Sequence, residues 1–144
     1  MTPPNDAPLG SPGSPGGRIL VVDDDPVTRR VLSSILERAH YDVMASTDGH
    51  EAWTELAAAR IDLVITDREM PAMNGLELLR AVRQSPRHGG VPVIMLTGTT
   101  LETAGDEADA EGASAFLTKP VSSRELLEIV ERLLRATADG QTQA

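Results

Sequence analysis

The chain has 144 residues, a formal net charge of −9 and no cysteine, which fits one domain and excludes disulfide scaffolds and zinc–thiolate sites. The acidic balance disfavours binding to nucleic acid or anionic lipid through their phosphates. The N-terminus lacks the basic and apolar regions of a secretory signal, and no apolar run approaches the roughly 20 residues that span a bilayer, so we expect a cytoplasmic protein.

The chain opens on a segment that is rich in proline and glycine. Residues 1–17 hold five of the ten prolines and almost no large apolar side chain. Burial of such a segment cannot offset the entropy lost on ordering it. We therefore predict a disordered leader over 1–17, a single folded domain over 18–136 and a flexible tail over 137–144.

From Arg18 onward, short apolar runs alternate with stretches of helical periodicity. The apolar runs predict five strands, at 19–22, 41–44, 61–65, 91–96 and 115–117. The periodic stretches predict five helices, which begin at Pro26, after the cap Asp48, at Asn74-Gly75, near Leu101 and after Ser122 or Ser123. The apolar set of the first helix is Val27, Val31, Leu32, Ile35 and Leu36. The fourth helix, over 101–111, has the weakest pattern because it is acidic and contains Gly105.

Strict alternation of strand and helix predicts an α/β fold, a doubly wound five-stranded parallel sheet with right-handed crossovers. Such sheets bind ligands at the carboxyl ends of their strands, where the strand order reverses. Four of the five ends carry reactive groups. They are Asp23-Asp24-Asp25 after the first strand, Asp67 after the third, Thr97 at the fourth and Lys119 after the fifth.

An acid after a strand is ordinarily a turn or cap residue, so the joint pattern carries the argument. Clustered carboxylates raise one another's pKa and are tolerated when a hard cation such as Mg²⁺ binds. A carboxylate beside Mg²⁺ can attack phosphorus to give an aspartyl phosphate. The Lys119 ammonium and the Thr97 hydroxyl could then donate to the phosphoryl oxygens.

Several motifs, in this order and spacing, resemble the response-regulator receiver family. They are Ile19-Leu20-Val21-Val22-Asp23-Asp24, Asp67-Arg68-Glu69-Met70-Pro71 with Gly75, Met95-Leu96-Thr97-Gly98 and Phe116-Leu117-Thr118-Lys119-Pro120. The resemblance covers residues 18 to about 136. It implies the flavodoxin-like (βα)5 fold of CheY, with strand order 2-1-3-4-5.

The resemblance also implies roles for the acidic residues. Asp67 is the phosphoacceptor and one of the ligands of Mg²⁺. Asp24 binds the metal directly, Asp23 assists through water, and the backbone carbonyl of Glu69 supplies a further ligand.

The remaining motif residues are implied to contact the phosphoryl group or to respond to it. Thr97 and Lys119 contact its oxygens, and Thr97 with Phe116 forms the switch. The peptide before Pro120 is expected to be cis. We interpret Arg29 and Arg30, at common but not essential family positions, as solvated helix surface.

The function implied is a phospho-accepting receiver of a two-component system, not an enzyme. A histidine kinase or histidine phosphotransfer protein would supply the phosphoryl group. The face formed by the fourth helix, the last strand and the last helix would bind a downstream protein or a second copy, with no direct contact to nucleic acid or membrane.

Two other functions stay open. Phosphatases of the haloacid dehalogenase class use an Asp nucleophile with an acid two residues later, as Asp67 and Glu69 offer, but they place it after the first strand and need a substrate cap. A receiver-fold scaffold that is never phosphorylated is the other. Turnover of a phosphate ester would favour the enzyme, and a single stoichiometric acyl phosphate would favour the receiver.

Overall fold

The computed structural model describes residues 17–70, 73–98 and 112–143, with side chains described as far as residue 136. Its strands are β1 Arg18–Val22, β2 Asp42–Ser46, β3 Leu63–Asp67, β4 Val93–Thr97 and β5 Ala115–Thr118. Its helices are α1 Pro26–Arg38, α2 Gly49–Ala58, α3 Gly75–Gln84 and a C-terminal helix, Ser123–Gln143. All of the predicted leader except Gly17 lies outside the described residues, as does the predicted helix over 101–111.

The five strands form one parallel sheet in the order β2-β1-β3-β4-β5, which confirms the predicted fold class and strand order. On one face, α1 and the C-terminal helix bury Leu32, Leu36, Leu126 and Val130. On the other face, α2 and α3 bury Ala52, Leu56, Leu78, Leu79 and Val82. Because both faces are covered, the strands β1, β3 and β4 are apolar runs rather than alternating ones.

The helices begin where short polar side chains can satisfy their first amide groups. Asp48 accepts from the N–H of Glu51 at 2.8 Å, and Asn74 forms a reciprocal capping box with Glu77. Ser122, rather than Ser123, caps the C-terminal helix, since its hydroxyl accepts from the N–H of Glu125 at 3.3 Å. These caps confirm the predicted starts of three helices.

Two features of the helices differ from what the sequence pattern suggests. Val27 and Val31 are 67% and 48% exposed, because α1 packs on the sheet mainly through Leu32 and Leu36. The C-terminal helix also continues past residue 136 to Gln143. No glycine or proline interrupts it before residue 140, and a single glycine costs a helix only about 1 kcal/mol.

The predicted strands and the observed ones differ by one or two residues at their ends. The largest difference is in β3, which begins and ends two residues later than predicted, at Leu63–Asp67. Within the residues described, no helix has the length and apolar character needed to cross a membrane.

Candidate functional site

Three carboxylates meet at the carboxyl ends of β1 and β3. Oxygen atoms of Asp23, Asp24 and Asp67 all lie within 4.8 Å of one another. Asp23 is fully buried and Asp67 is 5% exposed, whereas Asp24 is exposed at the mouth of the cluster. The prediction that these two strand ends bring their acids together is confirmed.

Lys119 joins this cluster from the end of β5. Its ammonium lies 3.0 Å from Oδ2 of Asp23 and 3.1 Å from Oδ2 of Asp67, so it bridges the two buried acids. The peptide between Lys119 and Pro120 is cis, as expected. The main-chain N–H of Lys119 donates to the carbonyl of Thr97 at 2.9 Å, which places the end of β4 beside the same cluster.

Thr97 is buried at the last position of β4. Its neighbour Leu96 pairs with Asp67 across the sheet, so the Thr97 side chain belongs to the same sheet edge as the acids. Phe116 pairs with Met95 and is partly buried against the apolar cluster beneath α2 and α3. The switch assigned to Thr97 and Phe116 therefore stays a prediction about residues that lie on adjacent strands.

Main-chain amides orient both buried carboxylates in the same way. Oδ1 of Asp23 accepts from the N–H of Asp25 at 2.9 Å, and Oδ1 of Asp67 accepts from the N–H of Glu69 at 3.1 Å. In each residue, Oδ1 is thus held by the loop that follows the strand, and Oδ2 faces Lys119. The pocket is built by two equivalent strand-to-loop turns.

Gly75 allows α3 to begin directly against this pocket. A Cβ atom at this position would collide with the carbonyl oxygen of Asp67. The Gly75 N–H donates to the carbonyl of Arg68 at 3.2 Å. The absence of a side chain here is what lets the loop after Asp67 turn tightly into the helix.

The charged groups of the pocket do not pair one to one, since Asp23 and Asp67 share the Lys119 ammonium and Asp24 adds a third carboxylate. Burial raises the pKa of Asp67, and the charge of Asp23 adds to this effect, so together they outweigh the hydrogen bond from Glu69 and the attraction of Lys119. Burial lowers the pKa of Lys119, but the close contacts of its ammonium with the Asp23 and Asp67 carboxylates outweigh burial and leave that pKa raised. The pocket therefore holds more carboxyl groups than ammonium groups among the residues described.

The residues present fit a hard cation. Oδ2 of Asp23 is buried and has no aligned hydrogen bond within the described part of the chain, although the Lys119 ammonium lies 3.0 Å away as an ion-pair partner. That oxygen keeps acceptor capacity directed into the pocket. Carboxylate oxygens are the ligands that Mg²⁺ prefers, and the metal retains water in its remaining positions.

Arg29 reaches the cluster, which the sequence analysis did not anticipate. Its Nη1 donates to the main-chain carbonyl of Asp23 at 2.8 Å, so the interpretation of Arg29 as solvated surface is wrong. Arg30 is exposed, as expected. The sequence spacing could have indicated this contact. Arg29 lies one helical turn after the cap Asp25, so its side chain can extend back over the acidic loop.

Glu69 is the one predicted ligand whose side chain points elsewhere. Its carboxylate is exposed and pairs with Arg68 at 2.9 Å, while its amide contacts Asp67. The proposed role of its carbonyl oxygen stays a prediction. Pro71, which belongs to the same motif, lies outside the described residues.

Comparison with known proteins agrees with this geometry. The family model for the response regulator receiver domain matches residues 19–131. The chain belongs to this family. A receiver domain of this kind is a signalling module of two-component systems, and its CheY-like fold is the one described above.

Three relatives illustrate the similarity of this receiver domain to known ones. Chemotaxis protein CheY1 of Helicobacter pylori is 37% identical over 124 residues, which cover 81% of this chain and 96% of that protein. The crystal structure of a receiver domain of a signal transduction histidine kinase from Syntrophus aciditrophicus has a TM-score of 0.78 and 36% identity, covering 83% of this chain and 91% of that one. The cyclic-nucleotide phosphodiesterase regA of Dictyostelium discoideum is 34% identical over 122 residues, 83% of this chain.

The receiver domain occupies very different shares of its relatives. The match spans only 15% of regA and 56% of the regulator PhoB of Pseudomonas aeruginosa, but 96% of CheY1. The same module therefore occurs both almost alone and within much longer proteins.

Proposed function

We propose that this receiver domain accepts a phosphoryl group on Asp67 in a reaction that depends on Mg²⁺. The observation that carries the proposal is the pocket's charge pattern. Two buried carboxylates share Lys119, and Asp24 at the mouth adds a third negative charge. A structural ion pair would need one acid for one lysine, whereas this excess suits a divalent cation and a phosphoryl group together.

In the proposed step, a carboxylate oxygen of Asp67 attacks phosphorus and forms a P–O bond. With a phosphohistidine donor the P–N bond breaks, its electrons remain on the imidazole, and the imidazole takes a proton. Mg²⁺, when bound, neutralises charge that develops on the phosphoryl oxygens. Asp23, Asp24, Asp67 and the Glu69 carbonyl would hold it, while Lys119 and Thr97 would donate to the phosphoryl oxygens.

We propose a protein as the physiological donor, either a histidine kinase or a histidine phosphotransfer protein. Val27 and Val31 support this because they lie one turn apart at the start of α1, directly after the acidic loop, and are 67% and 48% exposed. An apolar pair beside a charged pocket offers contact area to a protein surface, whereas a small metabolite would not use it.

For the output we propose a two-state packing change. The hydroxyl of Thr97 would move toward a phosphoryl group on Asp67, and Phe116 would fill the space that it leaves. Thr97 and Phe116 lie on adjacent strands, and the Phe116 ring is only partly buried. The surface altered would be β5, the C-terminal helix and the predicted helix over 101–111, which lies outside the described residues, and we propose this surface as the partner or dimer face.

Intact-mass spectrometry tests the phosphoacceptor. With acetyl phosphate and Mg²⁺, the unaltered chain should gain one phosphoryl group, and Asp67→Asn should gain none. Asp42→Asn is the matched control, because Asp42 is an exposed acid at the opposite end of the sheet, and it should be labelled normally. Equal labelling of Asp67→Asn would refute the assignment. Continued turnover of a phosphate ester would favour a phosphatase, and no labelling at all would favour a scaffold.

A further inference from the structure

Of the three carboxylates proposed to bind the metal, that of Asp24 is the least enclosed by the protein. It is exposed, whereas Asp23 and Asp67 are buried and hydrogen-bonded through Oδ1. The position of its carboxylate therefore depends on the main chain on either side of it. Two peptide groups flank Asp24, one on each side.

Both of these peptide groups are held by hydrogen bonds. The peptide after Asp24 is fixed because the N–H of Asp25 donates to Oδ1 of Asp23 at 2.9 Å. The peptide before Asp24 is fixed because Nη1 of Arg29 donates to the carbonyl of Asp23 at 2.8 Å, and this bond is partly buried. The first is a contact within the loop, and the second ties the loop to α1.

The anchor of this second bond is rigid. The N–H of Arg29 donates to the carbonyl of Asp25 at 3.0 Å, so Arg29 belongs to the first hydrogen-bonded turn of α1. That turn is also capped by Asp25, whose carboxylate accepts from the N–H of Val27 and the hydroxyl of Thr28. A guanidinium on such a turn can hold a loop carbonyl with little loss of entropy.

We propose that Arg29 is a positioning residue that fixes the peptide between Asp23 and Asp24, and so holds the Asp24 carboxylate ready to bind Mg²⁺. The inference rests on the proposed function, since it concerns the same metal site. Arg29 itself touches neither the metal nor the phosphoryl group in this account. It acts through the main chain of its neighbour.

Arg29 could influence the affinity for Mg²⁺ through its charge or through its contact with the Asp23 carbonyl. Loss of the charge and loss of the contact should change that affinity in opposite directions. Removing a cation beside three carboxylates should by charge alone strengthen the binding of Mg²⁺. Removing a group that orients a ligand should weaken it, typically about 10-fold for partners of metal ligands. The sign of the change therefore separates the two roles.

The experiment compares Arg29→Met with Arg30→Met. Both remove one positive charge from α1, but Arg30 is exposed and only Arg29 holds the Asp23 carbonyl. The dissociation constant of Mg²⁺ is measured by isothermal titration calorimetry on the unphosphorylated full chain. We expect it to be about 10-fold higher in Arg29→Met than in Arg30→Met. The Mg²⁺ concentration that half-saturates labelling by acetyl phosphate should rise by the same factor, with the rate at saturating Mg²⁺ unchanged.

Equal or tighter binding of Mg²⁺ by Arg29→Met would overturn the positioning role and leave the proposed function intact. If the unaltered chain bound no Mg²⁺, the metal part of the proposed function would fail as well. Should Arg29→Met fail to fold, Arg29→Lys against Arg30→Lys replaces the pair. This pair keeps the charge and exchanges the guanidinium for a shorter donor. Arg29→Lys should then bind Mg²⁺ more weakly than its control, and equal affinity would refute the proposal.

Discussion

Among the described residues, charged side chains gather at both ends of the parallel sheet, and only at the amino end are they paired one to one. There, Arg18 pairs with Asp42 at 2.8 Å and Arg60 pairs with Asp62 at 3.2 Å. The second oxygen of Asp62 accepts from the main-chain N–H of Arg18 at 2.8 Å. Asp42 and Asp62, the acids described at this end, therefore each have their own cation.

At the carboxyl end, Asp23 and Asp67 share Lys119, Asp24 adds a third carboxylate, and the guanidinium of Arg29 is directed to a carbonyl rather than to a carboxylate. Two of these acids are buried, where unpaired charge is most costly. Charges that are paired one to one hold the fold together, whereas an excess of buried carboxylates marks a place where a ligand is expected to bind. The predictions below test this difference.

The largest effect on the free energy of unfolding should come from Arg83, at the amino end of the sheet. Its guanidinium is half-buried and donates to the carbonyls of Gly89, Val91 and Gly112, so it ties α3 to the segments before β4 and β5. Arg83→Met leaves these carbonyls without their donor and should lower the free energy of unfolding by about 3 kcal/mol. Urea denaturation measures the loss.

Arg87→Met is the matched control for this prediction. Arg87 makes a single exposed hydrogen bond to the carbonyl of Ala57 at 3.3 Å, so its loss should change the free energy of unfolding by less than about 0.5 kcal/mol. Equal losses in the two variants would show that the Arg83 contacts do not stabilise the fold.

The next largest effect on stability should come from Mg²⁺ at the carboxyl end of the sheet. Mg²⁺ at 10 times its dissociation constant should raise the free energy of unfolding by about 1.4 kcal/mol, because it binds the folded chain only. Asp24→Ala should abolish this gain, and Asp42→Ala, an exposed acid at the other end, should retain it. Thermal melting with and without Mg²⁺ measures both. A gain that survived in Asp24→Ala would rule out its role as a ligand.

A smaller effect is expected from Asp67 in metal-free protein. Burial and Asp23 raise the pKa of Asp67 above its ordinary value of 3.8, so the folded chain binds this proton more tightly than the unfolded chain does. Stability therefore falls as the pH rises from 3.8 through the raised pKa, and the ionised carboxylate destabilises the fold above it. Asp67→Asn should be the more stable protein at neutral pH, by less than Mg²⁺ contributes.

The difference between Asp67→Asn and the unaltered chain should shrink as the pH falls toward 3.8, where the native carboxyl is protonated. Urea denaturation across a pH series in the presence of a chelator gives the comparison. A neutral-pH stability that is lower in Asp67→Asn would mean that the ion pair with Lys119 outweighs burial, contrary to the account.

The smallest effect on the free energy of unfolding should come from the exposed ion pair at the amino end of the sheet. Arg18 and Asp42 are 35% and 48% exposed, and such pairs contribute little because water screens them. Asp42→Asn should change the free energy of unfolding by less than about 0.5 kcal/mol. A larger loss would show that the amino end depends on this pair more than its exposure suggests.

Much of the fold could be predicted because its signals are local. Buried strands read as apolar runs, and Asp48 and Asn74 mark helix starts because their short side chains cap the next turn. The acidic pocket could be predicted too, since parallel strands bring their carboxyl ends to one edge of the sheet. Asp23, Asp67 and Lys119 meet for that reason.

Other contacts could not be predicted, because their partners have no sequence signature. Arg29 and Arg83 both donate to main-chain carbonyls, which every residue carries, and those of Arg83 lie 6 to 29 positions away. The exposure of Val27 was missed because helical spacing gives the apolar face of α1 but not how much of it the sheet covers. Tertiary packing decides each of these.

The most direct test of the central claim locates the phosphoryl group itself. Sodium borohydride reduces an acyl phosphate to an alcohol, so a phosphorylated aspartate becomes homoserine, which peptide mass spectrometry can place in the chain. After treatment with acetyl phosphate and Mg²⁺, the account predicts homoserine at position 67 and at no other aspartate. Homoserine at position 23 or 24, or a phosphoryl group on the intact chain that leaves no homoserine at position 67, would contradict it.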